Sequence, residues 1–249
     1  DSLGPTARYG WGDVQWLTKG SGIQHAEMFP LIRDDADNPL ELFQIWLKMP
    51  TESKMVPAYF RMIWSEEIPT VEPEPGVSVD VIAGSLAGEQ APAAPPHSWA
   101  SNDLGDKALW LNRCDAGASW ALPAAAAGLN RMLHFFDGES VSIAGHDVSS
   151  GSGIKVQSDL DVEIRNSGAP AEFLLLQGRP IGAPVFQMGP FVMNTPEELQ
   201  QAFDDYRRTG FGGWPWASAD PVHARTDGRF ALHADGTVEH RDMQTAPSS

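Results

Sequence analysis

Gly12-Asp13-Val14-Gln15-Trp16-Leu17-Thr18-Lys19-Gly20-Ser21-Gly22-Ile23-Gln24-His25-Ala26-Glu27-Met28 is the most informative stretch of this chain. Gly20 and Gly22 punctuate a turn, and Gly22 to Met28 then reads as a strand. His25 and Glu27, two residues apart, project to one face of that strand and Ala26 to the other. An imidazole and a carboxylate side by side inside a barrel are costly to bury unless each has a strong partner, and a divalent metal supplies one. Mixed nitrogen and oxygen ligands suit iron, manganese, nickel, copper or zinc, so ligand type narrows the metal little. On spacing alone such a pair lies more often on a solvent face with no role, because a site needs further convergent groups.

Outward from this stretch, Asp13 to Trp16, Leu40 to Met49 and Tyr59 to Trp64 also read as strands, separated by Gly, Pro and Asp clusters. In Leu40-Glu41-Leu42-Phe43-Gln44-Ile45-Trp46-Leu47 both faces are largely apolar, the pattern of a strand covered on both sides. Pro69-Thr70-Val71-Glu72-Pro73-Glu74-Pro75-Gly76 reads as a stiff connector that cannot continue a sheet ladder. It divides a first β unit, 1–68, from a second, 77–190. Strand signals in the second recur at Val77 to Ile82, Ala108 to Leu111, Arg131 to Phe136, Ser140 to Ile143, Ile154 to Val156, Val162 to Arg165 and Glu172 to Leu176, the spacing of a sandwich or barrel. Thr195-Pro196-Glu197-Glu198 combines an N-cap hydroxyl, Pro at the first helical position and Glu three residues after the cap; Leu199, Ala202, Phe203 and Tyr206 follow on one face, predicting a helix over 195–209. The remainder, 214–249, is a polar tail with a hairpin signal at Ala234-Asp235-Gly236 and a fraying end from Asp242 to Ser249.

Composition narrows the class of function. In 249 residues, 24 Gly and 20 Pro favour short strands joined by turns over long helices. A formal net charge of −16 repels phosphate backbones and anionic lipid surfaces, so direct nucleic-acid binding is disfavoured. No apolar run approaches the length of a membrane span. The single cysteine, Cys114, rules out an internal disulfide, fits a reducing compartment, and reads as a small buried apolar residue rather than a nucleophile. Cytoplasm is the expected location, with the nucleus as a second compartment in a eukaryote. The chain begins at Asp1 rather than Met, so a targeting signal would have gone with a missing start.

The Gly12 to Trp16 and Gly20 to Glu27 motifs together resemble the pirin signature. Glu41-Leu42-Phe43-Gln44-Ile45-Trp46-Leu47, Lys54-Met55-Val56-Pro57 and Gly189-Pro190-Phe191-Val192-Met193-Asn194-Thr195 add matches in the right order, so that the similarity runs from Asp1 to about Gly212. The resemblance implies an all-β protein of two cupin barrels with a short C-terminal helix, residues 1–68 being the remainder of the metal-binding barrel. That barrel holds one metal, most often iron, through three histidines and one glutamate. His25 and Glu27 correspond to the third histidine and the glutamate; the other two histidines belong to a His-Pro-His stretch expected upstream of Asp1. In the second barrel Leu122-Pro123-Ala124-Ala125-Ala126 stands where a metal-binding cupin would offer histidines, in keeping with the family's metal-free second barrel. Two functions follow from the resemblance. One is a quercetin 2,3-dioxygenase-type oxidoreductase acting on a flavonol-like small molecule, with Glu27 assisting deprotonation. The other is a metal-dependent regulatory module, like a transcription cofactor, that binds a protein partner. Trp16, Phe43 and Trp46 are candidates for a pocket wall, while His97, His134, His146, His223, His233 and His240 are read as structural or solvent-facing.

Overall fold

Strict alternation of buried and half-exposed residues in the strands Val77–Ala83 and Ala108–Cys114 commits one face of each to a core. The computed structural model, which describes residues 1–242, shows where those faces go. The chain forms two compact units, one of Trp64–Gly182, the other of Asp1–Ile63 together with the chain from Ala183 onward.

In the Trp64–Gly182 unit a six-stranded antiparallel sheet has the order Ser152–Lys155, Asn130–Asp137, Ala171–Gly178, Ala108–Cys114, Val77–Ala83, Thr70–Glu74. A four-stranded antiparallel sheet has the order His146–Ser149, Ser140–Ile143, Val162–Arg165, Ser119–Leu122. Side chains from both sheets form one core, in which Val79, Val81, Leu122, Leu133 and Leu175 are fully buried. Phe135 and Phe173 stack there with ring centroids 4.8 Å apart. Each such side chain contributes about 1.5–3 kcal/mol by leaving water. The buried Asn166 side chain closes one end of the sandwich, its Nδ2 donating to the carbonyls of Cys114, Asp115 and Ala169 at 2.9, 3.1 and 2.7 Å.

The other unit is a set of smaller sheets. Val14–Thr18 pairs with Tyr59–Ile63, Phe186–Met188 with Phe191–Met193, and Phe230–Leu232 lies between Thr6–Arg8 and Val238–His240. The helix Pro196–Thr209 starts as its sequence predicts. Thr195 Oγ1 accepts from the Glu198 backbone N–H, the Glu198 carboxylate reaches back to the Thr195 N–H, and Gly210 ends the helix in a left-handed conformation. Its apolar face meets Phe191, edge-to-face against Phe203 at 4.7 Å.

The all-β class with one short C-terminal helix is therefore what the chain adopts, but three local expectations are corrected. The proline-rich 69–76 stretch is no free connector, because Thr70–Glu74 is a strand paired to Val77–Ala83. It lies at the sheet edge, where a missing N–H costs no ladder bond, and its register shifts between Val71 and Glu74. The polar 214–249 stretch is not a tail throughout. It supplies two strands, joined at the expected Ala234–Gly236 turn, and Asp242 is tied to Arg229; the rest of the expected fraying end lies outside the described residues. Finally, neither Gly22 to Met28 nor Leu40 to Met49 forms a strand. Among the described residues no strand pairs with them, and Leu40 and Trp46, expected to be covered, are 65% and 53% exposed.

Candidate metal site

Although no ladder holds the 22–28 segment, its neighbours do. Gly20 and Gly22 both have positive φ. A Cβ on Gly20 would overlap the Val56 carbonyl oxygen, and one on Gly22 would press into the Phe211 ring, so both positions need glycine for close approach. The Ser2 N–H donates to the Gln24 carbonyl and the Gln24 N–H to Ser2 Oγ, Gln24 Nε2 donates to the Gly210 and Gly213 carbonyls, and Ser2 Oγ donates to Phe211 O at 2.6 Å. Asp13, from the start of the same motif, has a fully buried side chain that accepts from Arg229 Nη1 at 3.1 Å and from the Gly10 N–H at 3.0 Å. Much of the motif therefore serves to brace the loop that carries His25.

His25 and Glu27 lie side by side although the strand expected to align them does not form, with Nδ1 3.9 Å from Oε1 and side chains 23% and 30% exposed. Nδ1 of His25 is buried and has no hydrogen-bond partner. Nε2 lies 3.3 Å from Lys19 Nζ. Burial lowers the His25 pKa, the Lys19 and N-terminal ammonium groups push it the same way, and Glu27 opposes them. The imidazole is thus neutral at pH 7, the form a metal ligand requires. Burial also lowers the Lys19 pKa against the attraction of Glu27. On the other side, Tyr9 is hydrogen-bonded to Glu27, and burial, the Glu27 charge and that bond raise its pKa to about 12. The phenol therefore stays protonated and acts as donor to the carboxylate. Tyr9 was not legible as a site residue, since it precedes the motif and no spacing rule connects it to Glu27; Lys19, within the motif, carried no signal of its own.

An orphaned imidazole nitrogen facing a carboxylate oxygen across 3.9 Å fits two positions around one divalent ion, because two bonds of about 2.0–2.2 Å can bridge that gap. Among the described residues no group of three or more His, Cys, Asp or Glu side chains could hold an ion. The other histidines lie elsewhere. His134 is on the opposite face of its strand from the buried Leu133 and Phe135, His223 Nε2 bonds Thr6 Oγ1 at 2.7 Å, and His233 bonds Glu239 at 2.9 Å while stacking on Phe60. Phe43 and Trp46 are exposed, and Trp46 has the Lys19 ammonium 5.5 Å from its ring centroid.

An antiparallel six-stranded sheet facing a four-stranded one defines the cupin class of β-sandwich. A crystal structure of quercetin 2,3-dioxygenase from Acinetobacter baumannii shares this fold with TM-score 0.63 and 22% identity, over 81% of this chain and 67% of that one. The family model described as Pirin matches residues 1–47, and that of the Pirin C-terminal cupin domain matches 109–212. A Pseudomonas aeruginosa protein, provisionally named as a quercetin 2,3-dioxygenase, is 33% identical over 83% of this chain and 70% of its own length. A pirin-like protein of Caulobacter vibrioides is 35% identical over 85% and 72%. The chain belongs to the pirin family. No helix among the described residues is long and apolar enough to cross a membrane.

Proposed function

We propose that this pirin is a metal-dependent dioxygenase of the quercetin 2,3-dioxygenase type, with His25 and Glu27 as two of the ligands and Glu27 also as the proton acceptor. The observation that carries this reading is the unpartnered, buried Nδ1 of His25 aimed across 3.9 Å at Glu27 Oε1. The provisional name of the Pseudomonas relative supports the same substrate class, a flavonol. The remaining ligand positions would be filled by the two histidines that the family pattern places before Asp1, and iron is the metal of choice. The metal, when bound, supplies the electron chemistry through which dioxygen attacks the flavonol. The chain's own residues do the rest. Glu27 takes the proton of the flavonol's hydroxyl, Tyr9 holds the carboxylate by donating to it, and the Lys19 ammonium favours the deprotonated, anionic substrate.

The test is oxygen-dependent loss of quercetin absorbance by the metal-loaded full-length protein, with metal content measured in parallel. The expected outcome is turnover by the unmutated protein and none by Glu27→Gln even where that variant retains metal, because the amide keeps the shape but has no basicity. No consumption of quercetin or related flavonols by the unmutated, loaded protein would overturn the dioxygenase. It would favour the second reading, a metal-dependent regulatory binder, for which the exposed apolar run Leu40, Leu42, Ile45 and Trp46 is a candidate protein-docking surface.

A further inference from the structure

One end of the Trp64–Gly182 sandwich is not built like the rest of its core. Cross-strand register puts Ala108, Gln177 and Arg131 in one row and Trp110, Leu175 and Leu133 in the next. Arg131 shares a strand face with the buried Leu133 and Phe135 and is only 1% exposed. Its Nε and Nη1 have no hydrogen-bond partner, and neither has the buried indole Nε1 of Trp110. Gln177 donates through Nε2 to the Asp106 carbonyl at 3.1 Å but leaves its own Oε1 unmatched. These three residues line one cavity of about 450 Å³, whose remaining wall mixes apolar Leu86, Ala108 and Pro123 with polar Ser85 and Gln90.

A guanidinium stays charged at any physiological pH and is costly to bury alone, so an unmatched one inside a sandwich asks for an anion. Among the described residues no carboxylate is paired with Arg131. Asp161, whose charge bears on Arg131, forms no ion pair with it and accepts from the Ala124 N–H at 2.7 Å, while Asp106 at the cavity is paired with Arg179 at 3.0 Å. Lys107 adds a second positive charge to the lining. The cavity is thus a cationic spot in a chain of net charge −16.

We propose that this cavity is a binding site for a small organic carboxylate with an apolar body. The carboxylate oxygens accept from Arg131 and from the Trp110 indole N–H, the body packs against Leu86, Ala108 and Pro123, and Gln177 Oε1 offers an acceptor to a hydroxyl on the same ligand. A single buried guanidinium beside the apolar side chains of Leu86, Ala108 and Pro123 matches a monoanion with a short hydrocarbon body better than a doubly charged and strongly hydrated phosphate.

The experiment is an NMR titration of the tryptophan indole N–H signals with sodium benzoate, benzamide and inorganic phosphate, the Trp110 signal being identified by its loss in Trp110→Phe. Benzoate is expected to shift the Trp110 signal saturably, and benzamide and phosphate to leave it in place. Arg131→Met should weaken benzoate binding by about tenfold or more, the loss of a charge-assisted hydrogen bond. This variant is expected to fold, since an apolar chain of similar volume replaces an unpaired buried charge. Arg131→Lys keeps the charge, and its weaker but measurable binding would separate loss of the anion's partner from loss of the fold. Absence of a saturable benzoate shift at about 10 mM, far above the range of a specific site, would overturn the proposal. So would equal binding of benzamide, a response to phosphate as strong as to benzoate, or unchanged affinity in Arg131→Met.

Discussion

His25 makes few contacts of its own, and its position is set by Gly20, Gly22 and Gln24 on one side and by Glu27 with Tyr9 on the other. The same economy holds for His223, which is held neutral by its environment. Burial lowers its pKa below the ordinary 6.5, the Arg8 guanidinium adds to that, and Asp227 opposes it. A histidine whose folded pKa is depressed takes up its proton first in the unfolded state. The folded state therefore loses stability as pH falls below about 6.5 towards the folded value, and the loss is complete once both states are protonated. His25, shifted in the same direction, contributes in the same window. We expect the thermal midpoint to drop between pH 7 and pH 5, and His223→Gln to flatten that slope without abolishing it; an unchanged slope in differential scanning fluorimetry would show that His223 is as easily protonated folded as unfolded.

At the scale of elements, the sandwich and the smaller sheets are held by different means. In the Trp64–Gly182 unit, interleaved apolar rows do most of the work, and buried amides add bonds to backbone carbonyls, Asn112 to Phe173 and Asn166 to Cys114. Asn166 is the clearest of these, since the carbonyls of Cys114 at a strand end and of Asp115 and Ala169 in two loops share one amide nitrogen. Asn166→Ala should cost about 2–3 kcal/mol, because it strips buried acceptors of their donor while removing little apolar contact. Urea unfolding checks this, with a lower midpoint and an unchanged slope. Asn166→Asp should not restore the loss, as a carboxylate cannot donate. In the other unit the elements are short, and the two strands of the 230–240 hairpin lean on Thr6–Arg8. Arg229 joins them to the signature motif through the buried Asp13 side chain and to the chain beyond the hairpin through Asp242. A motif residue that sequence comparison would offer as a site residue is here an anchor.

For the whole molecule, the balance between a net charge of −16 and the exposed apolar run 40–47 governs solution behaviour. The charge keeps copies apart, while Leu40, Leu42, Ile45 and Trp46 offer a contiguous sticky surface. We expect this chain to raise the fluorescence of anilinonaphthalene sulfonate in its folded state, and Leu42→Glu combined with Trp46→Glu to remove most of that signal without lowering the thermal midpoint. An equal signal in the double variant would place the dye elsewhere. The exposed run also marks the limit of what could be read before the fold was known. Local signals are decisive where a segment carries its own partner or its own cap: the Thr195 capping box, the Ala234–Gly236 turn and the alternating strands of the second unit were all legible for that reason. A strand is different, because it exists only when another strand takes its backbone groups. Leu40 to Met49 and Gly22 to Met28 have strand-like sequences and no such partner among the described residues, whereas the proline-rich Thr70–Glu74 has one and needs to donate little to it. Tyr9 beside Glu27, and Arg131 beside Trp110 and Gln177, are likewise products of chain return and cross-strand register, which bring together residues that no spacing along the chain connects.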